Sequence, residues 1–107
     1  MVGITSDQMH DVVETIVRTA QPDRIIMFGS RARGEEDPDS DLDLLVVMPV
    51  AGPKREARIR IGLALHAYAI PIDVLAATPD EVARLGGVPG SLVYPAVREG
   101  HVLYERG

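Results

Sequence analysis

The sequence contains no cysteine and no tryptophan, and only one phenylalanine. Without cysteine, disulfides, thiolate catalysis and cysteine-based zinc sites are excluded. No apolar run approaches the roughly 20 residues that a membrane-spanning helix needs. The first residues, MVGITSDQMHD, have neither the basic nor the apolar region of a secretion signal. We therefore expect a soluble cytoplasmic protein.

The length and charge of the chain narrow its class. With 107 residues, 46% of them apolar and 25% charged, the composition favours one globular domain over residues 1–107, and two full domains are excluded. Eleven basic and sixteen acidic residues give a net charge of −5. That balance argues against a protein that coats nucleic acid by neutralising phosphates. A small anionic ligand held by a few local groups is still compatible with it.

Apolar periodicity and punctuation by glycine and proline predict eight elements. Thr5 and Gln8 form a capping-box pattern at the start of the first helix, and Thr78 followed by Pro79 begins another. Pro71 lies within the third strand, which indicates an edge strand or a strand that begins just after the proline. The predicted helices are 6–20, 54–68, a short one from Pro79 to the Gly86-Gly87 pair, and 91–98; the predicted strands are 24–28, 41–48, 69–77 and 101–105. This order predicts an α/β (α+β) sandwich, a small mixed β-sheet with helices packed against it.

Gly29 and Ser30 follow directly on the first predicted strand. A glycine there lets a phosphate approach backbone N–H groups, and the serine hydroxyl adds a donor. Arg31 and Arg33 stand beside them and could neutralise phosphate charge, or form salt bridges to acids such as Glu35. The acidic residues 35–39 are expected to form a solvated loop.

Asp41 and Asp43 lie at the start of the second predicted strand, DLDLLVVM. Because successive side chains of a strand point to opposite faces, these two carboxylates are expected on one face and Leu42 on the other. Two adjacent carboxylates repel each other unless a cation neutralises them, and Mg²⁺ is the natural occupant. Asp73, flanked by apolar residues in the third strand, completes a three-carboxylate site if that strand lies beside the second.

The combination of Gly-Ser, ten residues, and then Asp-x-Asp before an apolar strand resembles the polymerase-beta-like nucleotidyltransferase superfamily. The chain is most similar to its minimal nucleotidyltransferases, which occur as antitoxins beside HEPN-domain toxins. The resemblance implies that Gly29 and Ser30 contact the phosphates of ATP. It also implies that Asp41 and Asp43 bind metal, two Mg²⁺ ions in the full site, and that Asp73 is the later carboxylate that activates the attacking hydroxyl.

The resemblance further implies transfer of AMP from ATP to a tyrosine of a HEPN-type toxin, since an acceptor-binding second domain is not expected in a chain of this length. One alternative is a catalytically silent antitoxin that neutralises its partner by binding alone. Another is a transferase acting on a small hydroxyl compound or on RNA, which the acidic charge balance disfavours.

Several other patterns have simpler interpretations. The spacing of Asp37, Asp39 and Asp41 resembles a calcium loop, but leucine and methionine occupy the positions of its glycine and its final glutamate. The histidines are too scattered to predict a metal site. A basic cluster comprises Lys54, Arg55, Arg58 and Arg60; it is either a solvated helix face or a patch that binds an acidic partner or the nucleotide.

Overall fold

A computed structural model of the chain describes residues 5–34, 41–49, 52–68 and 71–106. The acidic segment 35–39, including the predicted arginine partner Glu35 and most of the calcium-like spacing, lies outside these residues. The predicted order of elements is confirmed. The elements are α1 (Ser6–Ala20), β1 (Arg24–Phe28), β2 (Leu42–Val47), α2 (Lys54–Ala64), β3 (Ile72–Ala77), α3 (Pro79–Leu85), α4 (Tyr94–Glu99) and β4 (His101–Glu105).

The strands form one mixed sheet in the order β3-β2-β1-β4. Strand β1 pairs antiparallel with β2 and with β4, whereas β2 and β3 are parallel. A parallel pair needs a crossover connection, and α2 lies in the connection between β2 and β3. The mixed sheet predicted from the sequence is therefore confirmed, with β3 and β4 at its edges.

Helices cover both faces of the sheet. On one face, α1 and α2 pack against alternate residues of β1 and β2, in a core that includes Ile16, Leu44 and Ile61. On the other face, α3 and α4 pack against the intervening residues, in a core that includes Leu45 and Val82. Because β2 is buried on both faces, its sequence is continuously apolar after Asp43.

Three boundaries differ from the sequence prediction by more than one residue. Helix α2 ends at Ala64 rather than near Tyr68, because the N–H of Tyr68 bonds to the carbonyl of Leu65 in a tight turn (3.1 Å). Strand β3 begins at Ile72, just after Pro71, and is also an edge strand. Helix α4 begins at Tyr94 instead of Ser91, whose hydroxyl donates to a carbonyl at the end of α3.

Candidate functional site

The end of β1 and the starts of β2 and β3 lie side by side at one end of the sheet. Strand β1 ends at Phe28, which pairs with Asp43 near the start of β2. Asp43 in turn lies in register with Asp73 near the start of the parallel strand β3. The structure therefore fulfils the condition set by the sequence, because the strand that carries Asp73 lies directly beside the strand that carries Asp43.

Asp43 and Asp73 lie on the same face of the sheet. Residues in register on neighbouring strands point to the same side, and the intervening Leu42 and Leu44 pack into the α1/α2 core on the opposite face. The two carboxylates therefore lie on the face covered by α3 and α4. Asp73 is exposed, whereas Asp43 is half-buried.

The surroundings of Asp43 oppose its ionisation. Burial is the main cause that raises the pKa of the Asp43 carboxyl, followed by the negative charges of Asp73 and Asp41. The positive charge of Arg33 acts in the opposite direction. A cation at this position would relieve the repulsion, and carboxylate oxygens are the ligands that Mg²⁺ prefers. The chemistry of the donors therefore fits a magnesium ion.

Asp41, unlike Asp43 and Asp73, lies outside the strands of the sheet. It lies immediately before β2 and is exposed, so strand alternation does not fix its direction. Within the described ranges, no three acidic or histidine side chains lie close enough together to hold one metal ion. The structure brings Asp43 and Asp73 together and places the charge of Asp41 near them, while the ligand set of three aspartates stays a prediction.

The bare Cα of Gly29 lies close to the side chain of Asp43. The φ of Gly29, 80°, lies in the left-handed region, which favours glycine. A Cβ at this position would overlap the carboxylate oxygen Oδ2 of Asp43. Both the backbone conformation and the close approach of Asp43 therefore require glycine at this turn.

The segment after Gly29 forms a compact helical turn. The carbonyl of Gly29 accepts from the N–H groups of Ala32 (3.1 Å) and Arg33 (3.2 Å), and the N–H of Gly34 donates to the carbonyl of Arg31 (3.3 Å). Ser30 and the half-buried Arg31 lie in this turn, immediately after Gly29, which approaches Asp43. The candidate phosphate contacts and the candidate metal ligands are thus adjacent in space.

Two residues that the sequence did not predict hold this turn against the rest of the fold. His101 Nε2 lies 2.8 Å from the carbonyl oxygen of Ala32, and Glu99 forms an ion pair of 3.7 Å with Arg33. Both belong to the α4–β4 junction, far from the turn in sequence, so no local pattern could have indicated them. Arg33 therefore has an acidic partner on α4 as well as an electrostatic effect on Asp43.

Comparison with known proteins gives a match to a protein family and a match to a curated protein. A family described as "Nucleotidyltransferase domain" matches residues 10–95. A curated protein of Methanocaldococcus jannaschii, named "Putative protein adenylyltransferase", is 38% identical over 53 residues. That match covers 50% of this chain and 52% of the relative, so the chain matches about half the length of the curated protein.

Solved structures share the fold. A "putative nucleotidyltransferase" from Sulfolobus solfataricus has a TM-score of 0.62 at 20% identity, over 92% of this chain and 78% of that one. A toxin–antitoxin structure with AMP-PNP has a TM-score of 0.61 at 21% identity, over 90% of this chain and 73% of that one. These similarities confirm the predicted fold class. In the described segments, no helix is both long enough and apolar enough to cross a membrane.

Proposed function

This chain belongs to the nucleotidyltransferase domain family, and from that membership we propose that it transfers AMP from ATP to a tyrosine hydroxyl of a HEPN-type toxin, acting as the antitoxin in the cytoplasm. The observation that carries the proposal is the register of Asp43 with Asp73 beside the Gly29 turn. The name of the curated relative and the toxin–antitoxin structure with the same fold support a protein acceptor.

Asp41, Asp43 and Asp73 would hold divalent cations, two Mg²⁺ ions in the complete site. When bound, magnesium would neutralise the charge of the triphosphate and of the carboxylates. The Gly29–Ser30 turn would bind the phosphates, with Arg31 and Arg33 contributing positive charge. Burial, and after it the repulsion from Asp73 and Asp41, raises the pKa of Asp43. A half-buried acid beside two others is costly without a cation, which supports this assignment.

The reaction would be an in-line displacement at the α-phosphorus of ATP. The acceptor oxygen forms a new bond to that phosphorus, and the bond to the bridging oxygen of the β-phosphate breaks, releasing pyrophosphate. The proton of the hydroxyl passes to Asp73, whose exposed position at the edge strand leaves it accessible to an acceptor. The chain's contribution is mainly to position the reactants and to arrange charge around them.

Incubation of the purified protein with Mg²⁺, ATP labelled in its α-phosphate, and the product of the adjacent reading frame tests the proposal. We expect label on that partner protein, and no label with the double variant Asp41→Asn/Asp43→Asn. Absence of label with the unaltered chain, or transfer to RNA or a small hydroxyl compound without any partner, would contradict it.

A second candidate is a silent antitoxin that neutralises its partner by binding alone. It would keep the fold that the toxin–antitoxin structure shares and would need no metal site. Neutralisation of the partner that survives the Asp41→Asn/Asp43→Asn double substitution would establish this alternative.

A further inference from the structure

Helix α2 has local features that work against helix stability. Its N-cap is Pro53, which makes no side-chain capping bond, whereas α1 and α3 each begin with a full capping box. Lys54 and Arg55 place positive charge in the first turn, where it opposes the helix dipole, against the single acid Glu56. Gly62 lies in the last turn of the helix, where glycine still costs up to about 1 kcal/mol relative to alanine. Such departures from local preference are typical of functional surfaces.

The outer face of α2 is both apolar and basic. Ile59 is 49% exposed and Leu63, one turn later, is 72% exposed. In the described part of the chain Lys54 pairs with Glu81, but no ion pair holds Arg55, Arg58 or Arg60. A chain with a net charge of −5 thus places uncompensated positive charge around exposed apolar side chains.

A groove runs between α2 and the edge strand β3. One depression of about 200 Å³ is lined by Arg58, Ile59, Gly62, Ile72 and Val74. A second, of about 230 Å³, shares Gly62 and Ile72 with the first and continues past the end of α2. The two adjacent depressions are together named the α2–β3 groove.

The fold does not require a glycine at the centre of this groove. A Cβ built on Gly62 would meet no atom within 4 Å, so alanine would fit and would strengthen the helix. Because Gly62 lines both depressions, a side chain there would narrow the groove. The bare Cα of Gly62 therefore keeps the groove open.

We propose that the α2–β3 groove binds the partner protein that carries the acceptor hydroxyl, through a segment with apolar side chains flanked by acidic ones. Exposed Ile59 calls for apolar contact, and the uncompensated arginines call for acidic neighbours. Ile72 and Val74 line the groove and flank Asp73 on the same edge strand. A protein seated in the groove therefore reaches around the sheet edge to Asp73.

This inference rests on the proposed function for the identity of the partner. Its test uses the product of the adjacent reading frame as acceptor and compares Ile59→Glu and Arg58→Glu with two control variants. The controls are Val88→Glu, at a side chain 46% exposed, and Arg84→Glu on α3. We expect the groove variants to raise the KM for the partner about tenfold or more, with kcat and the affinity for ATP unchanged, and the controls to leave KM unaltered.

Gly62→Ala separates binding from folding. We expect a higher melting temperature, because alanine favours the helix, together with a higher KM for the partner. A higher melting temperature with an unchanged KM would overturn the inference. So would controls that affect KM as strongly as Ile59→Glu does.

The failure of this inference differs from failure of the proposed function. If the unaltered chain transfers no AMP, the proposed function fails, and calorimetric binding of the same partner still tests the groove through the same variants. Equal binding by the unaltered chain and by Ile59→Glu would overturn the groove assignment. It would also be overturned if Ile59→Glu abolished self-association, or the binding of a single-stranded RNA, while leaving partner binding intact.

Discussion

At the scale of single residues, Gly29 couples the backbone of the turn to the position of Asp43. An alanine at position 29 would have to adopt the left-handed backbone conformation that glycine has there. Its Cβ would also overlap with Asp43 Oδ2. We expect Gly29→Ala to lower the free energy of unfolding by about 1–3 kcal/mol and to abolish AMP transfer, measured by urea denaturation and by the labelling assay.

Gly34→Ala is the matched control for that substitution. Gly34 also has a positive φ, of 74°, but a Cβ there would meet no atom within 4 Å. It therefore has the backbone strain without the overlap. If the two variants lose equal activity, the contact between Gly29 and Asp43 is not what matters.

Asp43 yields a prediction about stability and magnesium. Because its pKa is raised in the folded protein, ionised Asp43 destabilises the fold. Stability therefore increases as the pH falls through the raised pKa toward the ordinary value of 3.8. We expect Asp43→Asn to raise the melting temperature at neutral pH without divalent cations. Added Mg²⁺ should stabilise the unaltered chain and leave the variant unchanged.

Asp11 is exposed, and Asp11→Asn serves as the control for Asp43→Asn. It should change stability by no more than about 0.5 kcal/mol and should retain the response to Mg²⁺. An equal response of the Asp43→Asn variant to Mg²⁺ would remove Asp43 from the proposed ligand set.

At the scale of elements, Glu81 at the start of α3 takes part both in the capping box of that helix and in an ion pair with Lys54. The carboxylate of Glu81 accepts a hydrogen bond from the N–H of Thr78 (2.9 Å) and another from the ammonium group of Lys54 (2.7 Å). These bonds, that from Lys54 first, hold the pKa of Glu81 below its ordinary value of 4.5. A lowered acid pKa stabilises the fold above pH 4.5, and the contribution is lost as the pH falls through the folded-state pKa.

Glu81→Gln should therefore reduce the loss of stability on acidification. Glutamine keeps the capping-box geometry but loses the charge that pairs with Lys54. Thermal melts between pH 3 and 7 (about the range in which glutamate titrates) measure the effect. Thr78→Ala, by contrast, removes the cap and should cost about 1 kcal/mol at every pH.

At the scale of the whole molecule, β2 supports both hydrophobic cores at once. Leu44 is fully buried in the α1/α2 core, and its neighbour Leu45 is fully buried in the α3/α4 core. We expect Leu44→Ala to lower the free energy of unfolding by about 2–5 kcal/mol, measured by urea denaturation. Leu92→Ala, at a side chain 76% exposed, should change it by less than about 0.5 kcal/mol.

The local elements were predictable because their causes are local. The capping boxes at Thr5 and Thr78 depend on residues three positions apart, and the burial of β2 is evident from its apolar run. The spacing from Gly29 to Asp41 also indicated the family, which the match over residues 10–95 confirms. The assignments of individual residues to metal or phosphate stay predictions.

The sequence alone determined which segments become helices and strands and which residue types could bind a nucleotide and a metal, because capping, alternation and carboxylate chemistry act over a few neighbouring residues. Only the tertiary structure decided that Asp73 lies beside Asp43, that His101 and Glu99 hold the Gly29 turn, and that α2 and β3 enclose a groove. Those contacts join segments far apart in the chain, and their geometry depends on how helices and strands pack on the sheet.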